Sequence, residues 1–345
     1  MSAQLGFLIA GDWHFRGSNP RARTDDFKAS LTAKVREAYA LARAGQADGI
    51  IIPGDVTDSP GLAYSTLGDL AALLHEAPCR VYAIAGNHDI YGANPETLPR
   101  SAFGLLERVG LVCRLGAEPY DGNAAAHGLG CVLLFGRNYD AETDRGPGAY
   151  LVPEDALTDR PADAFSILVA HGMLLQEPPG FDLRHTLLRD VAASPRCPDV
   201  LVVGHEHLGF GVRRLEAANQ RGELLAINPG ALARLTAHPA EIERAVQVCR
   251  LTIGYGGAEA ELISVKCARP GHEVLSREHL EAAAAREEQL SKFLALLTSE
   301  GEATFLEVQQ IIDDIARREG LPAEVVAEAL RRIGAAREQM GGEAA

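Results

Sequence analysis

The amino-acid sequence predicts an α/β fold in which two stacked mixed β-sheets are flanked by helices, followed by a helical C-terminal appendage. Up to about residue 230, short runs rich in Val, Ile and Leu alternate with amphipathic stretches. Each run has the length of a buried strand, and strands that alternate with helices are typical of layered α/β proteins. Polar residues able to bind metal ions follow several of these runs, which indicates a shared site at one edge of the sheets.

The strands and helices of this region are predicted from the spacing of its apolar residues. The segment from Asp25 to Gly45 places apolar residues at steps of three and four, as on one face of a helix that Gly45 can close. A second helix is predicted from Leu62 to Ala77. The predicted strands are Phe7–Ala10, Ile50–Ile52, Val81–Ala85, Cys131–Phe135, Ile167–Ala170, Val200–Val203 and Leu224–Ile227.

The remainder of the chain is expected to form a β-hairpin and then a helical segment. Residues 245–267 have the pattern of two strands joined by a glycine-rich turn, so residues 1–270 are predicted to form one catalytic domain. From residue 276 to residue 345, apolar residues recur at helical spacing, and Pro322 is suited to the start of a helix.

The composition excludes some classes of protein. The formal net charge is −14, and a strongly acidic chain is a poor passive binder of nucleic acid. If the protein acts on phosphates, metal ions or a partner must therefore supply the cations. The six cysteines contain no C-x-x-C pair, which excludes a cysteine zinc cluster and fits a cytoplasmic location. We expect neither a membrane span nor a secretory signal, because no long apolar run and no basic N-terminal region is present.

Five short motifs carry the residues suited to chemistry, and each follows a predicted strand. A glycine beside each motif allows a sharp turn and the close approach of a ligand. Together they offer two carboxylates, one amide oxygen and four imidazoles, which suit two metal ions better than one. Mixed nitrogen and oxygen donors favour Mn, Fe or Zn over Mg or Ca. The motifs are Gly11-Asp12-Trp13-His14, Gly54-Asp55-Val56-Thr57-Asp58, Gly86-Asn87-His88-Asp89, His171-Gly172 and Gly204-His205-Glu206-His207.

In this order, the motifs resemble those of the calcineurin-like metallophosphoesterase superfamily. Within it, the chain most resembles the SbcD-type DNA repair nucleases and related phage-type nucleases. The resemblance includes Asp12-Trp13-His14, the segment around Gly54-Asp55, and Asn228-Pro229-Gly230-Ala231, and more loosely Gly136-Arg137-Asn138-Tyr139. One departure is Phe15-Arg16-Gly17, where the family more usually has Leu-Gly.

The resemblance implies a binuclear metal centre, with two divalent ions that are expected to be Mn, or else Fe or Zn. The implied ligands are Asp12, His14 and His207 for one ion, Asn87, His171 and His205 for the other, and Asp55 as a bridge through both carboxylate oxygens. His88 is the implied general acid for the leaving oxygen, and Asp58 is expected to orient His88.

The implied activity is metal-dependent hydrolysis of phosphodiesters, with an exonuclease or endonuclease of DNA repair or recombination as the expected form. A small-molecule phosphodiesterase or phosphatase with the same centre is the first alternative, and the net charge of −14 favours it slightly. A non-catalytic scaffold is the second alternative, but the complete ligand set and the intact His88 argue against it.

The sequence does not establish the binding partners of the protein. The resemblance implies that the C-terminal helices dock onto a coiled-coil ATPase subunit, with Leu290, Phe293, Phe305 and Ile312 as apolar contacts. Homodimerisation through the segments Leu62–Leu74 and Ser101–Val109 is a further expectation. Arg234 is expected to be an ordinary surface arginine rather than a phosphate ligand.

Overall fold

The computed structural model describes residues 4–118, 120–121, 131–154, 164–278, 289, 312–313, 315–317 and 319–342. The chain divides into two compact units, residues 1–276 and 277–345. The strands are β1 (Gln4–Ile9), β2 (Gly49–Ile52), β3 (Arg80–Ala83), β4 (Cys113–Arg114), β5 (Tyr120–Asp121), β6 (Val132–Arg137), β7 (Phe165–Gly172), β8 (Leu174–Leu175), β9 (Thr186–Leu187), β10 (Val200–His205), β11 (Gly211–Glu216), β12 (Glu223–Asn228), β13 (Gln247–Gly254) and β14 (Gly257–Ser264). The described helices are α1 (Phe27–Ala44), α2 (Tyr64–His75), α3 (Ala102–Arg108), α4 (Leu188–Ala192), α5 (Pro239–Glu243), α6 (Gly271–Val274) and α7 (Ala323–Gly342), with 3₁₀ turns at Pro95–Arg100 and Pro147–Tyr150.

The described residues of the first unit form two six-stranded mixed sheets, so the predicted fold class is confirmed. The first sheet has the order β14-β13-β1-β2-β3-β4, and the second has the order β11-β12-β10-β7-β6-β5. Strands β1 to β4 are parallel, as are β6, β7, β10 and β12. The hairpin β13–β14 pairs with β1 and completes the first sheet.

The two sheets pack face to face. Their strands carry apolar side chains on both faces, so one face fills the layer between the sheets and the other packs against helices. Phe7 and Ile9 of β1 pack with Ile167 and Val169 of β7 in the layer between the sheets. Leu8 of β1 points the other way, into the layer covered by α1, α2 and α3. A third apolar cluster, which includes α4, covers the outer face of the second sheet. The carboxyl ends of the parallel strands thereby meet at one edge.

Helix α1 follows the predicted periodicity closely. Asp26 caps its start by accepting the N–H of Ala29 at 2.9 Å, and Gly45 closes it by donating to the carbonyl of Leu41 at 2.9 Å. Lys34, however, lies among the buried residues of this helix and is only 2% exposed.

The second unit contains α7, which begins directly after Pro322. None of the helices in the described part of the chain is long and apolar enough to cross a lipid bilayer. Of the residues expected to contact an ATPase, Leu290, Phe293 and Phe305 lie outside the described residues, and Ile312 is half-buried.

Candidate metal centre

The predicted metal ligands converge at the carboxyl-end edge of the two sheets. The first sheet contributes the loops that follow β1, β2 and β3, and the second contributes the ends of β7 and β10. The sequence predicts that every motif follows its strand, but the fourth and fifth motifs begin inside β7 and β10. The residues brought together are Asp12, His14, Asp55, Asn87, His171, His205 and His207.

One half of this cluster is formed by His14 and His207. Their Nε2 atoms lie 2.9 Å apart, and His14 Nε2 is 3.4 Å from Asp55 Oδ2. His14 is 1% exposed, so these nitrogens face each other in a nearly closed space. Two ring nitrogens directed at one point are what a shared cation requires.

The other half is formed by Asn87, His171 and His205. Asn87 Oδ1 lies 3.0 Å from His171 Nε2 and 2.9 Å from His205 Nδ1, and the two nitrogens are 3.2 Å apart. The opposite ring nitrogen of His171, Nδ1, donates to the carbonyl oxygen of Pro53 at 2.7 Å. This bond orients the ring so that Nε2 faces the cluster.

Asp55 lies between the two halves, and its two carboxylate oxygens have different neighbours. Asp55 Oδ2 is 3.4 Å from His14 Nε2 and 3.3 Å from His171 Nε2. Asp55 Oδ1 instead accepts the main-chain N–H of His88 at 2.9 Å. Because a carboxylate oxygen has a second lone pair, this bond does not prevent Oδ1 from binding a cation, and the expectation that both oxygens bridge stays a prediction.

Asp12 is fully buried against the second sheet. Its Oδ1 lies 3.6 Å from His171 Nδ1, and its carboxylate accepts the main-chain N–H of His205 at 3.2 Å. The carboxylate of the first motif is thus held by two later motifs, which joins the two sheets at the site.

Three of the predicted ligands adopt left-handed backbone conformations. The φ angles are 46° at His14, 49° at Asp55 and 88° at His205. Such conformations cost about 1–3 kcal/mol each for residues other than glycine and cluster at functional sites. The surrounding fold therefore holds these side chains in positions that an unconstrained loop would avoid.

Two glycines allow the carboxylates to approach the neighbouring backbone. A Cβ atom at Gly86 would lie 2.2 Å from Asp55 Oδ1, and one at Gly204 would lie 2.6 Å from Asp12 Oδ1. Any side chain at these positions would displace a predicted ligand, which explains why glycine stands beside these motifs.

Burial sets the protonation of three imidazoles. It lowers the pKa of His205 to about 3 and that of His207 to about 4, and it holds the pKa of His14 well below its usual range. These rings are therefore neutral at pH 7 and offer lone pairs to a cation.

The three remaining groups, His171, Asp12 and Asp55, differ in protonation. Burial opposes protonation of His171, but the carboxylates of Asp55 and Asp12 raise its pKa to about 9. Burial raises the pKa of Asp12 to about 7. Burial also opposes the ionisation of Asp55, yet His171 and His14 hold the pKa of its carboxyl well below the usual range.

The donor set fits divalent cations. A proton on His171 Nε2 would face Asn87 Oδ1, His205 Nδ1 and Asp55 Oδ2, at 3.0, 3.2 and 3.3 Å. One N–H cannot satisfy three acceptors, whereas a divalent cation with several coordination positions can. Asp55, His171 and His205 bring their ligand atoms within 4.8 Å of one another, as do His14, Asp55 and His88. The preference for Mn, Fe or Zn stays a prediction.

His88 adjoins the His14 half of the cluster, with ring centroids 4.6 Å apart. Its Nδ1 donates to the main-chain carbonyl of Asp58 at 2.8 Å, which leaves Nε2 as its free nitrogen. The carboxylate of Asp58 instead lies 3.0 Å from Arg16 Nη1 and 3.6 Å from His14 Nδ1. Asp58 therefore does contact His88, but through its backbone rather than through a side-chain bond.

Asp89 is a residue whose importance the sequence analysis missed. It is fully buried, and its carboxylate accepts the N–H and hydroxyl of Thr57, each at 2.8 Å, and the N–H of Gly86 at 2.9 Å. It thus links the loop that carries Asp55 to the loop that carries Asn87. Its place at the end of the Gly86–Asp89 motif was the available signal.

Two residues from the weaker parts of the resemblance also contact the site. The Tyr139 ring stacks on His205 with centroids 5.9 Å apart. Asn228 donates to the carbonyl of Glu206 at 3.0 Å and accepts from Gly230 at 2.9 Å. Both contacts hold the segment that carries His205 and His207.

Comparison with known proteins identifies the family of the chain. The sequence profile described as calcineurin-like phosphoesterase matches residues 5–209. No curated protein sequence matches the chain. Among solved structures, the calcineurin-like phosphoesterase YfkN from Bacillus subtilis is 12% identical, with a TM-score of 0.46, over 96% of this chain and 100% of that one. A dimetal phosphatase from Danio rerio is 14% identical, with a TM-score of 0.40, over 77% of this chain and 100% of that one. The protein TT1561 of Thermus thermophilus is 14% identical, with a TM-score of 0.44, over 76% of this chain and 99% of that one. Because the family profile spans well over half of the residues, the chain belongs to the calcineurin-like phosphoesterase family of phosphate-ester hydrolases.

Proposed function

We propose that the protein is a two-metal phosphodiesterase that cleaves DNA and belongs with the SbcD-type nucleases of DNA repair or recombination. The observation that carries the proposal of diester cleavage is the position of His88. Its ring borders His14, and Asp58 engages Nδ1, so that Nε2 is the atom that would carry a proton to the leaving oxygen. An alkoxide leaving group, as in DNA, depends on such a proton far more than an aryl oxide does.

When bound, two divalent cations would neutralise charge on the phosphoryl group and lower the pKa of a water molecule. The residues suited to hold them are Asp12, His14 and His207 on one side and Asn87, His171 and His205 on the other, with Asp55 between. The chain itself orients the ligand rings, excludes bulk water from the buried carboxylates, and places His88 beside the reacting group.

The choice of DNA is supported by the parts of the resemblance that lie beyond the ligands. Trp13 is fully buried and packs near Tyr39, with ring centroids 6.5 Å apart. The Asn228–Ala231 segment packs directly behind His207, since Ala231 donates to the carbonyl of His207 at 3.0 Å. Trp13 and the Asn228–Ala231 segment belong to the SbcD-type sequence pattern but are not themselves proposed metal ligands.

A small-molecule phosphodiesterase or phosphatase is the second candidate, and the net charge of −14 favours it. DNA would have to approach a negative body, which weakens its binding unless the cations or a partner compensate. The two candidates share the metal centre and differ only in substrate.

One panel of assays separates them. The purified chain, supplied with Mn²⁺, Mg²⁺, Zn²⁺ or chelator, is offered end-labelled duplex DNA, single-stranded DNA, a cyclic nucleotide and an aryl phosphodiester. We expect metal-dependent DNA cleavage that His205→Ala abolishes and that His75→Ala, a histidine outside the cluster, preserves. Cleavage of the cyclic nucleotide with neither DNA substrate cut would favour the second candidate instead.

The proposed partners are a coiled-coil ATPase subunit, bound through the C-terminal helices, and a second copy of this chain. For the dimer, Tyr64, Leu105 and Val109 are 93%, 45% and 59% exposed on the two predicted segments. Exposed apolar side chains of this size are suited to an interface. Sedimentation of the wild type against Leu105→Lys tests the dimer, and an unchanged monomer in both would contradict it.

A further inference from the structure

A buried segment of three residues, Ala231 to Ala233, contacts the metal centre from behind. All three residues are fully buried. Ala231 donates to the carbonyl of His207 at 3.0 Å, Leu232 donates to that of Gly11 at 3.2 Å, and Ala233 donates to that of Asp12 at 3.2 Å. Every amide of the segment is therefore bound to a chain segment that carries a proposed ligand of the same ion.

The carbonyl groups of the segment accept hydrogen bonds from two basic side chains. Arg244 donates from Nη1 to the carbonyl of Ala231 at 2.8 Å and from Nη2 to that of Ala233 at 2.5 Å. Lys34 donates from Nζ to the carbonyl of Leu232. Three consecutive carbonyls thus accept from two side chains, of which Lys34 is distant in the sequence and Arg244 lies eleven residues after Ala233.

Neither basic side chain is a surface group. Lys34 is 2% exposed, and the Arg244 side chain is 7% exposed. Arg244 is fixed in turn by Glu241, which accepts from Nε at 2.9 Å and from Nη2 at 2.8 Å. A buried, bidentate guanidinium has little freedom to move, so its contacts define where the segment lies.

Arg234 extends this arrangement, contrary to its expected surface position. It is 5% exposed and donates to the carbonyl of Arg269 at 2.6 Å and to that of Arg244. The expectation is wrong because the arginine follows directly on the buried segment and turns inward with it.

We propose that Lys34 and Arg244 are positioning residues of the metal centre. Through the Ala231–Ala233 segment they fix the backbone of Asp12 and His207, and they thereby set the affinity for the ion that Asp12, His14 and His207 hold. The inference rests on the proposed binuclear centre. Among the described hydrogen bonds, this segment contacts neither Asn87 nor His171 directly. It reaches the ligands of the second ion only through Asp12, whose carboxylate accepts the N–H of His205, so the second ion is affected less.

The experiment is a calorimetric Mn²⁺ titration of the metal-stripped full chain. For Lys34→Met and Arg244→Met we expect one site to weaken by about 10- to 100-fold, as when groups behind a ligand are removed, while the other site weakens much less. The pattern should match His207→Ala and differ from His205→Ala, and Arg244→Lys, which keeps a donor, should recover part of the affinity. Lys28→Met and Arg250→Met, on exposed side chains, serve as matched controls.

Wild-type affinity at both sites in the two variants, or an equal loss at both sites, would overturn the proposal. Thermal unfolding is recorded first, and if Arg244→Met does not fold, Lys34→Met and Arg244→Lys decide. A wild-type chain that binds none of Mn²⁺, Fe²⁺ and Zn²⁺ would instead remove the proposed metal centre itself, and so separates the two failures.

Discussion

Replacement of Lys34 by methionine should change stability and metal binding in opposite directions at neutral pH. Burial, together with Arg23 and Arg244, lowers the pKa of Lys34 from 10.5 to about 7. This depression corresponds to about 5 kcal/mol against the charged form. In the folded protein the amine loses its proton near pH 7, whereas the unfolded chain keeps it up to pH 10.5. The unfolded state therefore binds more protons between these values, and the stability of the wild type rises with pH across that window.

The methionine side chain of the Lys34→Met variant carries no charge, so the variant escapes this cost. The gain is about 4 kcal/mol at pH 7 and about 1 kcal/mol at pH 9.5. The loss of a partner for the Leu232 carbonyl subtracts about 1–3 kcal/mol at either pH. The stability of Lys34→Met relative to wild type should thus fall by about 3 kcal/mol between pH 7 and pH 9.5.

Guanidinium unfolding of both proteins at the two pH values measures this difference directly. Lys28→Met on the same helix is the control, because Lys28 is exposed and paired with Asp69, and its difference from wild type should not change over this pH range. A difference for Lys34→Met that stays flat with pH would refute the reasoning that the buried amine loses its proton.

Three further outcomes are expected at the metal centre. His88→Ala should retain Mn²⁺ but lose about 10²- to 10⁴-fold in DNA turnover and much less on an aryl phosphodiester; undiminished DNA cleavage would remove His88 from the mechanism. Asp58→Asn keeps the carbonyl that binds His88, so DNA turnover should fall far less than in His88→Ala, and an equal loss would assign the orienting role to the carboxylate. Asp89→Asn should weaken Mn²⁺ binding by about 10- to 100-fold. Asp199→Asn is the matched control, since Asp199 is a buried carboxylate bound to Ser166 at the opposite ends of β7 and β10, and an equal effect in both variants would count against a specific role for Asp89.

The parts of this protein that sequence could predict are those fixed by periodicity and by strand ends. The run Ile50–Ile52 had to be buried on both faces, and Asp55 follows it where the chain must turn. Because parallel strands bring their carboxyl ends to one edge, residues as distant as Asp12 and His205 could be placed together without coordinates. The bounds of α1 were predictable for the same reason, since its cap and its apolar spacing agree.

The parts that sequence could not predict depend on main-chain groups. Asp58 binds His88 through its main-chain carbonyl. The residue type at position 58 does not indicate whether a main-chain or a side-chain atom makes the contact. The contact between Asp55 Oδ1 and the N–H of His88 was not predictable for a similar reason. Hydrogen bonds of the backbone are available to every residue, so they leave no trace in the pattern of side chains.

The burial of Lys34 was not predicted, although the pattern of side chains along α1 does indicate it. Lys34 lies on the apolar stripe of α1, seven residues after Phe27 and next to Val35, where helical periodicity assigns a core position. A lysine is almost never fully buried without a partner, so a lysine on that stripe indicates an acceptor inside the core. The acceptor is the carbonyl of Leu232, whose own amide binds the carbonyl of Gly11 beside Asp12. Lys34, a polar residue on an otherwise apolar helix face, was therefore a sequence signal for a contact between α1 and the metal centre. Its replacement by methionine should stabilise the fold at neutral pH and weaken metal binding at the site.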